Sequence, residues 1–69
     1  GPRTERPVYW LESGRMLATA IYDRYRLPVG FAAAGPAIIE DYGSSTLVGP
    51  RDRFAVGPRK ELRIDCRRV

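Results

Sequence analysis

The chain has 69 residues, 12 basic and 8 acidic, with one cysteine (Cys66) and no histidine. A chain of this length forms one small domain, whose core stabilises it by only about 3–5 kcal/mol. The counts exclude an intramolecular disulfide and a structural zinc site, and they remove the usual general base of neutral pH. They argue against enzymatic activity of the chain alone.

The composition predicts a folded protein, because 43% of the residues are hydrophobic. No apolar segment approaches the roughly 18 residues of a membrane span. No signal peptide is predicted, because no apolar run of the required length follows the basic start. With one unpaired cysteine, this favours a cytoplasmic location. Gly1-Pro2 resembles the scar that a protease leaves on an excised domain. Residues 1–6 are polar and expected to be loose.

The first part of the chain predicts a β-hairpin and then one helical turn. Residues 8–11 are aromatic and β-branched, which favours a strand, and residues 12–15 are typical of a turn. Residues 16–22 suit a strand or a helix, but their short length and the turn before them favour a hairpin. Asp23 is a candidate cap for a helical turn, which Pro28 ends.

The remainder predicts short strands between Gly/Pro turns. Residues 27–30 suit a type I turn, and residues 31–34 are expected to be extended. Residues 37–42 and 45–48 predict two strands joined by a turn at Gly43-Ser44. Residues 53–56 and 61–66 alternate apolar and polar side chains, which predicts two further strands. Turns over residues 49–52 and 57–60 precede them, and residues 67–69 form a basic tail.

These elements predict one all-β domain over residues 1–69. Five to seven short strands at spacings of roughly 8–12 residues, with Gly/Pro turns and one short helical turn near residues 23–27, are typical of a small sandwich or barrel. The predicted core consists of Val8, Trp10, Leu17, Ile21, Ile38, Ile39, Leu47, Val48, Phe54, Val56, Leu62 and Ile64.

Three adjacent hydroxyl residues, Ser44, Ser45 and Thr46, are the first candidate for chemistry. A nucleophilic serine needs a base within reach, and this run lacks both a histidine partner and the Gly-x-Ser-x-Gly turn of hydrolases. We therefore interpret these residues as turn and strand residues. The glycines are scattered and match no phosphate-binding motif, so they are interpreted as turn formers.

Two further features are also interpreted structurally. Glu40 and Asp41 are neighbours on a predicted strand, so their side chains point to opposite faces and cannot form an acid–base pair. One is expected to face solvent and the other to pair with an arginine. Cys66 falls on the predicted inward face with Leu62 and Ile64, which predicts a buried small hydrophobic residue.

Basic and aromatic residues allow a nucleic-acid interpretation. The basic residues near the C-terminus are Arg59, Lys60, Arg63, Arg67 and Arg68, and the candidate stacking residues are Tyr9, Trp10, Tyr22, Tyr25 and Tyr42. A small basic β-barrel with such residues can bind single-stranded nucleic acid. Glu61 and Asp65 interrupt the basic cluster, and no RNA-binding signature is present, which argues against this interpretation.

The segment YDRYRLPVGFAAAGPAIIEDYGSSTLVGP, residues 22–50, resembles the C-terminal region of hydantoinase A/5-oxoprolinase-type proteins. The likeness covers most of residues 6–65. It rests chiefly on Gly-Pro-Ala-Ile-Ile-Glu at residues 35–40 and Ser-x-Thr at residues 44–46, with Tyr-Asp-Arg at residues 22–24 and a Leu-x-x-Gly turn at residues 27–30. The sequence departs from the family pattern at Gly43 and in the turns at residues 49–52 and 59–61.

The resemblance implies a cytoplasmic parent enzyme that uses ATP and a divalent metal. Such enzymes open cyclic amides such as hydantoin or 5-oxoproline, or carboxylate ketones. Their nucleotide and metal motifs lie in upstream domains, so no catalytic, cofactor-binding or metal-binding residue is assigned in this chain. The resemblance implies a non-catalytic packing domain, whose partners are the upstream catalytic domains or a partner subunit. Trp10, Phe31 and Tyr42 are the candidate apolar edge.

Two alternatives remain beside this interpretation. One is a stand-alone basic β-barrel that binds single-stranded nucleic acid or another anion. The other is a free-standing interaction adaptor. A membrane partner is not expected.

Overall fold

The computed structural model describes residues 4–66 and has an all-β fold. Its strands are β1 (Thr4–Trp10), β2 (Arg15–Asp23), β3 (Ala32–Ala34), β4 (Ala37–Asp41), β5 (Ser44–Val48), β6 (Arg53–Val56) and β7 (Leu62–Asp65). One 3₁₀ turn, Arg24–Arg26, follows β2. The prediction of an all-β domain with short strands and one helical turn is confirmed. The predictions for Gly1-Pro2 and for the basic tail at residues 67–69 lie outside the described residues.

The strands form two sheets. The first has the order β1-β2-β4-β5, and the second has the order β3-β6-β7. All pairs are antiparallel except β2 and β4, which run parallel from Ala20 opposite Ala37 to Asp23 opposite Glu40. The parallel pair arises because the chain leaves β2, contributes β3 to the second sheet, and returns beside β2 as β4. The domain is therefore a two-sheet sandwich.

The core lies between the two sheets. Tyr22 from β2 makes edge-on aromatic contacts with Phe31 and Phe54, with ring centroids 5.5 and 5.3 Å apart. The rings of Phe31 and Phe54 are 5.9 Å apart. Ile39 and Val48 from the first sheet are fully buried in the same cluster. Offset and edge-on aromatic geometry adds to the stabilisation that burial alone provides.

Most of the predicted core is buried or half-buried, but two of its members are exposed, and the separate prediction for Cys66 is also wrong. Leu47 is 62% exposed because it lies on the face of the edge strand β5 that points away from the second sheet. Ile64 is 37% exposed because β7 is an edge strand with a neighbour on one side only. Cys66 is exposed and not a buried hydrophobic residue. Conversely, Tyr22 and Leu27 are buried core residues that the pattern did not predict.

A second buried contact lies on the opposite face of the first sheet. Trp10 Nε1 donates a hydrogen bond to Thr19 Oγ1 over 2.9 Å, and Thr19 Oγ1 donates to the carbonyl oxygen of Leu17, also over 2.9 Å. Thr19 is completely buried and Trp10 is 8% exposed. The indole therefore covers the threonine, and each polar atom of the pair has a partner.

We predict that Thr19→Val destabilises the domain by about 1–3 kcal/mol, because the valine keeps the shape but leaves the buried Trp10 N–H without an acceptor. Urea denaturation followed by Trp10 fluorescence measures this change. Thr4→Val, at an exposed position, is the matched control and is expected to change stability by less than about 0.5 kcal/mol. Equal stabilities of the two variants would contradict the role of the hydrogen bond.

The turns differ in part from their predictions. The helical turn is confirmed, and the Asp23 carboxylate accepts a hydrogen bond from the Tyr25 N–H over 3.0 Å. The sequence predicted a type I turn over residues 27–30, but the turn lies one position later, over residues 28–31, and is of another type. The Phe31 N–H donates to the carbonyl of Pro28, and Gly30 occupies the third position with φ +89°, as a type II turn requires.

Two further local predictions are corrected. The turn between β4 and β5 consists of Tyr42 and Gly43, whereas Ser44 already belongs to β5, where it pairs with Asp41. Gly43 has φ +76°, which suits a residue without a side chain. Residues 4–6, expected to be loose, are part of β1 because they pair with residues 19–21 of β2.

Candidate functional site

The hydroxyl run forms an edge strand and does not assemble a nucleophile. Ser44 and Ser45 are exposed, and Thr46 is half-buried on the other face from Ser45. Within residues 4–66, no hydrogen bond joins any of these hydroxyls to a carboxylate. The structure therefore places Ser45 and Thr46 in a strand, as predicted, and adds Ser44 to that strand instead of the turn.

The neighbouring carboxylates Glu40 and Asp41 contact different arginines. The Glu40 carboxylate lies 3.7 Å from Arg6 of β1, and the Asp41 carboxylate lies 3.5 Å from Arg24 of the 3₁₀ turn. Both therefore pair with an arginine, whereas one was expected to face solvent alone. The Arg6–Glu40 pair is exposed and contributes little to stability.

Polar side chains converge at one end of the sandwich. This end cluster consists of Arg24, Tyr25, Asp41 and Lys60, which line a shallow depression. Arg24 Nη2 donates to the carbonyl oxygen of Lys60 over 2.9 Å, and the Asp41 carboxylate accepts from the Tyr42 N–H over 2.6 Å. Lys60 has φ +64°, in the left-handed region. Arg24 thus connects the 3₁₀ turn to both β4 and the turn that precedes β7.

The end cluster changes the titration of two groups. The Tyr25 hydroxyl interacts with the Asp41 carboxylate across the depression that both residues line, and this raises the pKa of Tyr25. The same interaction is the main reason that the pKa of Asp41 is lowered, and the Tyr42 N–H and the Arg24 charge lower it further. Near neutral pH the pair is therefore a neutral tyrosine and an ionised aspartate. This arrangement donates and accepts hydrogen bonds, which suits binding or positioning, and it supplies no general base of neutral pH.

The titration of Asp41 gives a testable pH dependence. The pKa of Asp41 is lower in the folded state than in the unfolded state, so the ionised carboxylate stabilises the fold at pH values above the ordinary aspartate pKa, roughly pH 4. This stabilisation is lost as the pH falls through the folded-state pKa of Asp41. We predict that Tyr25→Phe moves the pKa of Asp41 back toward its ordinary value. An NMR titration of the carboxyl carbons measures the shift, with Tyr9→Phe as control. An unchanged Asp41 pKa in Tyr25→Phe would contradict the interaction of the Tyr25 hydroxyl with the Asp41 carboxylate.

Exposed apolar side chains gather on the β1–β2 hairpin. Tyr9 and Met16 are opposite each other in the register and are 54% and 55% exposed, and Leu11 in the connecting turn is 88% exposed. We call these three residues the hairpin surface. The inter-sheet core contains no residue of β1. The hairpin surface therefore contributes nothing to the core of the domain.

The hairpin surface replaces the apolar edge that the sequence predicted. Of Trp10, Phe31 and Tyr42, Trp10 is buried against Thr19 and Phe31 is half-buried against Tyr22, so only Tyr42, 92% exposed, lies on the surface. Sequence reasoning named Tyr9 only as a candidate stacking residue and did not identify Met16 as a surface residue. The available signal was their alternation with Trp10 and Leu17, which placed them on the other face of the hairpin.

No family model, curated protein or solved structure matches this chain. The resemblance to hydantoinase A/5-oxoprolinase-type proteins accordingly stays a prediction. Within residues 4–66, no three His, Cys, Asp or Glu side chains lie close enough together to hold a metal ion. The same residues include no helix of the length and apolar character that crossing a membrane requires.

Proposed function

We propose that this chain is a non-catalytic packing domain of a cytoplasmic, ATP-dependent enzyme of the hydantoinase A/5-oxoprolinase type. The parent enzyme opens a cyclic amide or carboxylates a ketone, and its ATP and divalent metal bind in the upstream catalytic domains. The single observation that carries the packing role is the hairpin surface. The motifs at residues 22–24 and 35–46 support the choice of parent family.

The hairpin surface has the composition of a protein interface. Tyrosine, methionine and leucine side chains contribute apolar area that is unfavourable in water, and aromatic residues and methionine are enriched at interfaces. Charged Glu5 and Arg6 border the adjacent groove over Pro7 and Ala18, as expected for a polar rim. We propose that the catalytic domains of the parent, or a partner subunit, cover this surface.

The test uses the reading frame that encodes the chain. A large nucleotide-binding region, in the same frame or in a partner subunit encoded beside it, is expected, and its absence from both would overturn the proposal.

In the complete enzyme, Tyr9→Ser combined with Met16→Ser is expected to weaken domain packing and lower the ATP-dependent activity. Val29→Ser, which replaces a residue of equal exposure, 54%, outside the hairpin surface, is the control. Equal activity of both variants would argue against packing through the hairpin.

A second candidate function rests on the end cluster. Tyr25, 64% exposed, lines the depression with Arg24 and Lys60, and Tyr42, 92% exposed, is joined to the cluster through its N–H to Asp41. Exposed aromatic and basic side chains suit base stacking and phosphate contacts. Two other predicted stacking residues, Trp10 and Tyr22, are buried and excluded from such a role. Arg63 of the predicted basic cluster is paired with Glu61 at 2.8 Å.

Titration with labelled single-stranded oligonucleotide at low and high salt separates the two functions. If the chain is a packing domain, it is expected to bind the oligonucleotide no more tightly than other weakly basic proteins do. Micromolar binding with a steep salt dependence, weakened by Tyr42→Ala, would overturn the packing proposal and support the second candidate.

A further inference from the structure

The open edges of the two sheets differ in how they are protected. Edge strands present unpaired N–H and C=O groups, and proteins usually protect them with short strands, proline or charged residues. Within residues 4–66, β1 contains Pro7 beside Glu5 and Arg6, β3 has three residues, and β7 contains Arg63 and Asp65. The fourth edge strand, β5, is Ser-Ser-Thr-Leu-Val and carries none of these features.

The backbone of β5 has N–H and C=O groups that point away from β4. β5 pairs with β4 along its whole length, from Ser44 opposite Asp41 to Val48 opposite Ala37. In an antiparallel pair, every second residue directs its N–H and C=O away from the partner strand. Among the described residues, no backbone group outside β4 bonds to those of β5. An added strand would find both donors and acceptors there.

An apolar row ends at the same edge. Ile21, Ile38 and Leu47 are aligned across β2, β4 and β5 on the face that points away from the second sheet. Exposure rises along the row, from 5% at Ile21 to 62% at Leu47. A strand added beside β5 would cover Leu47 and continue the row.

We propose that β5 pairs antiparallel with β5 of a second copy of this chain, so that the two four-stranded sheets form one continuous sheet. The charge pattern of β5 suits a second copy as the occupant. In a two-fold antiparallel contact the strand meets its own sequence in reverse, so a strand with charges of one sign would meet the same sign. β5 is uncharged and therefore self-complementary. The two-fold axis also keeps both Leu47 side chains on one face of the joined sheet.

Sedimentation equilibrium over a concentration series from about 5 to about 500 µM tests the proposal, because one short strand from each copy makes a small interface of modest affinity. The apparent mass is expected to rise from the 7.8 kDa of one chain toward that of a dimer. A wild-type chain that stays monomeric across the series overturns the proposal.

Two lysine variants locate the contact. Leu47→Lys places like charges on one face of the joined sheet beside the two-fold axis and is expected to weaken dimerisation about 5-fold. Leu11→Lys, at an exposed position of the hairpin surface, is expected to leave dimerisation unchanged. Circular dichroism establishes that both variants are folded. A dimer weakened by Leu11→Lys and not by Leu47→Lys would overturn the assignment to β5.

Amide hydrogen exchange gives a readout that does not depend on any variant. Outward-facing amides of residues 44–48 are expected to exchange more slowly at high protein concentration than at low concentration. Exchange at residues 44–48 that does not depend on concentration would contradict edge pairing. Because dimerisation is measured on the chain itself and does not involve Tyr9 or Met16, its failure would leave the packing proposal standing.

Discussion

Replacing Phe54 with alanine is expected to leave the domain largely unfolded. The Phe54 side chain is 2% exposed and its ring contacts both Tyr22 and Phe31 at the centre of the sandwich. A buried Phe→Ala change costs about 3–5 kcal/mol because apolar contacts are lost and a cavity remains. A domain of this size has only about 3–5 kcal/mol of stability in total. The substitution therefore removes most or all of the stability.

Far-UV circular dichroism and urea denaturation followed by Trp10 fluorescence measure the effect of Phe54→Ala. The control is Tyr42→Ala, which truncates an aromatic side chain that is 92% exposed, and we expect it to change stability by less than about 0.5 kcal/mol. A Phe54→Ala domain as stable as the control would show that the aromatic cluster is not the core.

Gly35→Ala is expected to destabilise the domain by about 3 kcal/mol, the upper end for a residue that is too large for its site. A Cβ at this position would overlap the carbonyl oxygen of Gly49 and lie 2.8 Å from the carbonyl oxygen of Val48. Both are backbone atoms, so the methyl group forces the two chain segments apart. The Gly35 N–H also donates to the carbonyl oxygen of Asp52 over 2.8 Å, and the movement strains that bond.

Thermal and urea denaturation of Gly35→Ala are compared with those of Gly14→Ala. At Gly14 a Cβ meets nothing within 4 Å, but φ is +68°. The control therefore measures the cost of a left-handed alanine alone, about 1 kcal/mol. If Gly35→Ala proved no more destabilising than Gly14→Ala, the close backbone approach would not be the reason for a glycine at residue 35.

Local patterns predicted several elements correctly because they depend on neighbouring residues. Phe54 and Val56 alternate with polar or small residues and are buried in β6, as predicted. Asp23 caps the helical turn because its side chain reaches an amide only two residues away. The absence of histidine from the composition is enough to exclude the usual general base for the hydroxyl run.

The end cluster was beyond prediction from sequence, and alternation along the hairpin indicated the face on which Tyr9 and Met16 lie but not its exposure. Arg24 reaches the carbonyl of Lys60, 36 residues away, and Asp41 joins the same cluster from a different strand. Contacts of this kind depend on which elements become neighbours in the folded chain. By composition, Tyr9 and Met16 belong to an apolar hairpin. They lie on the surface because the core between the two sheets does not extend to them, and only the structure shows where that core ends.

The sequence by itself determined the all-β class, the approximate strands and the single helical turn, because alternation and turn residues act over a few positions. Only the tertiary structure decided the parallel pairing of β2 with β4, the burial of Tyr22, and the exposure of Leu47, Ile64 and Cys66. Alternation divides a strand into two faces. Whether either face is covered, and whether the strand lies at an edge, depends on pairing between residues distant in the chain.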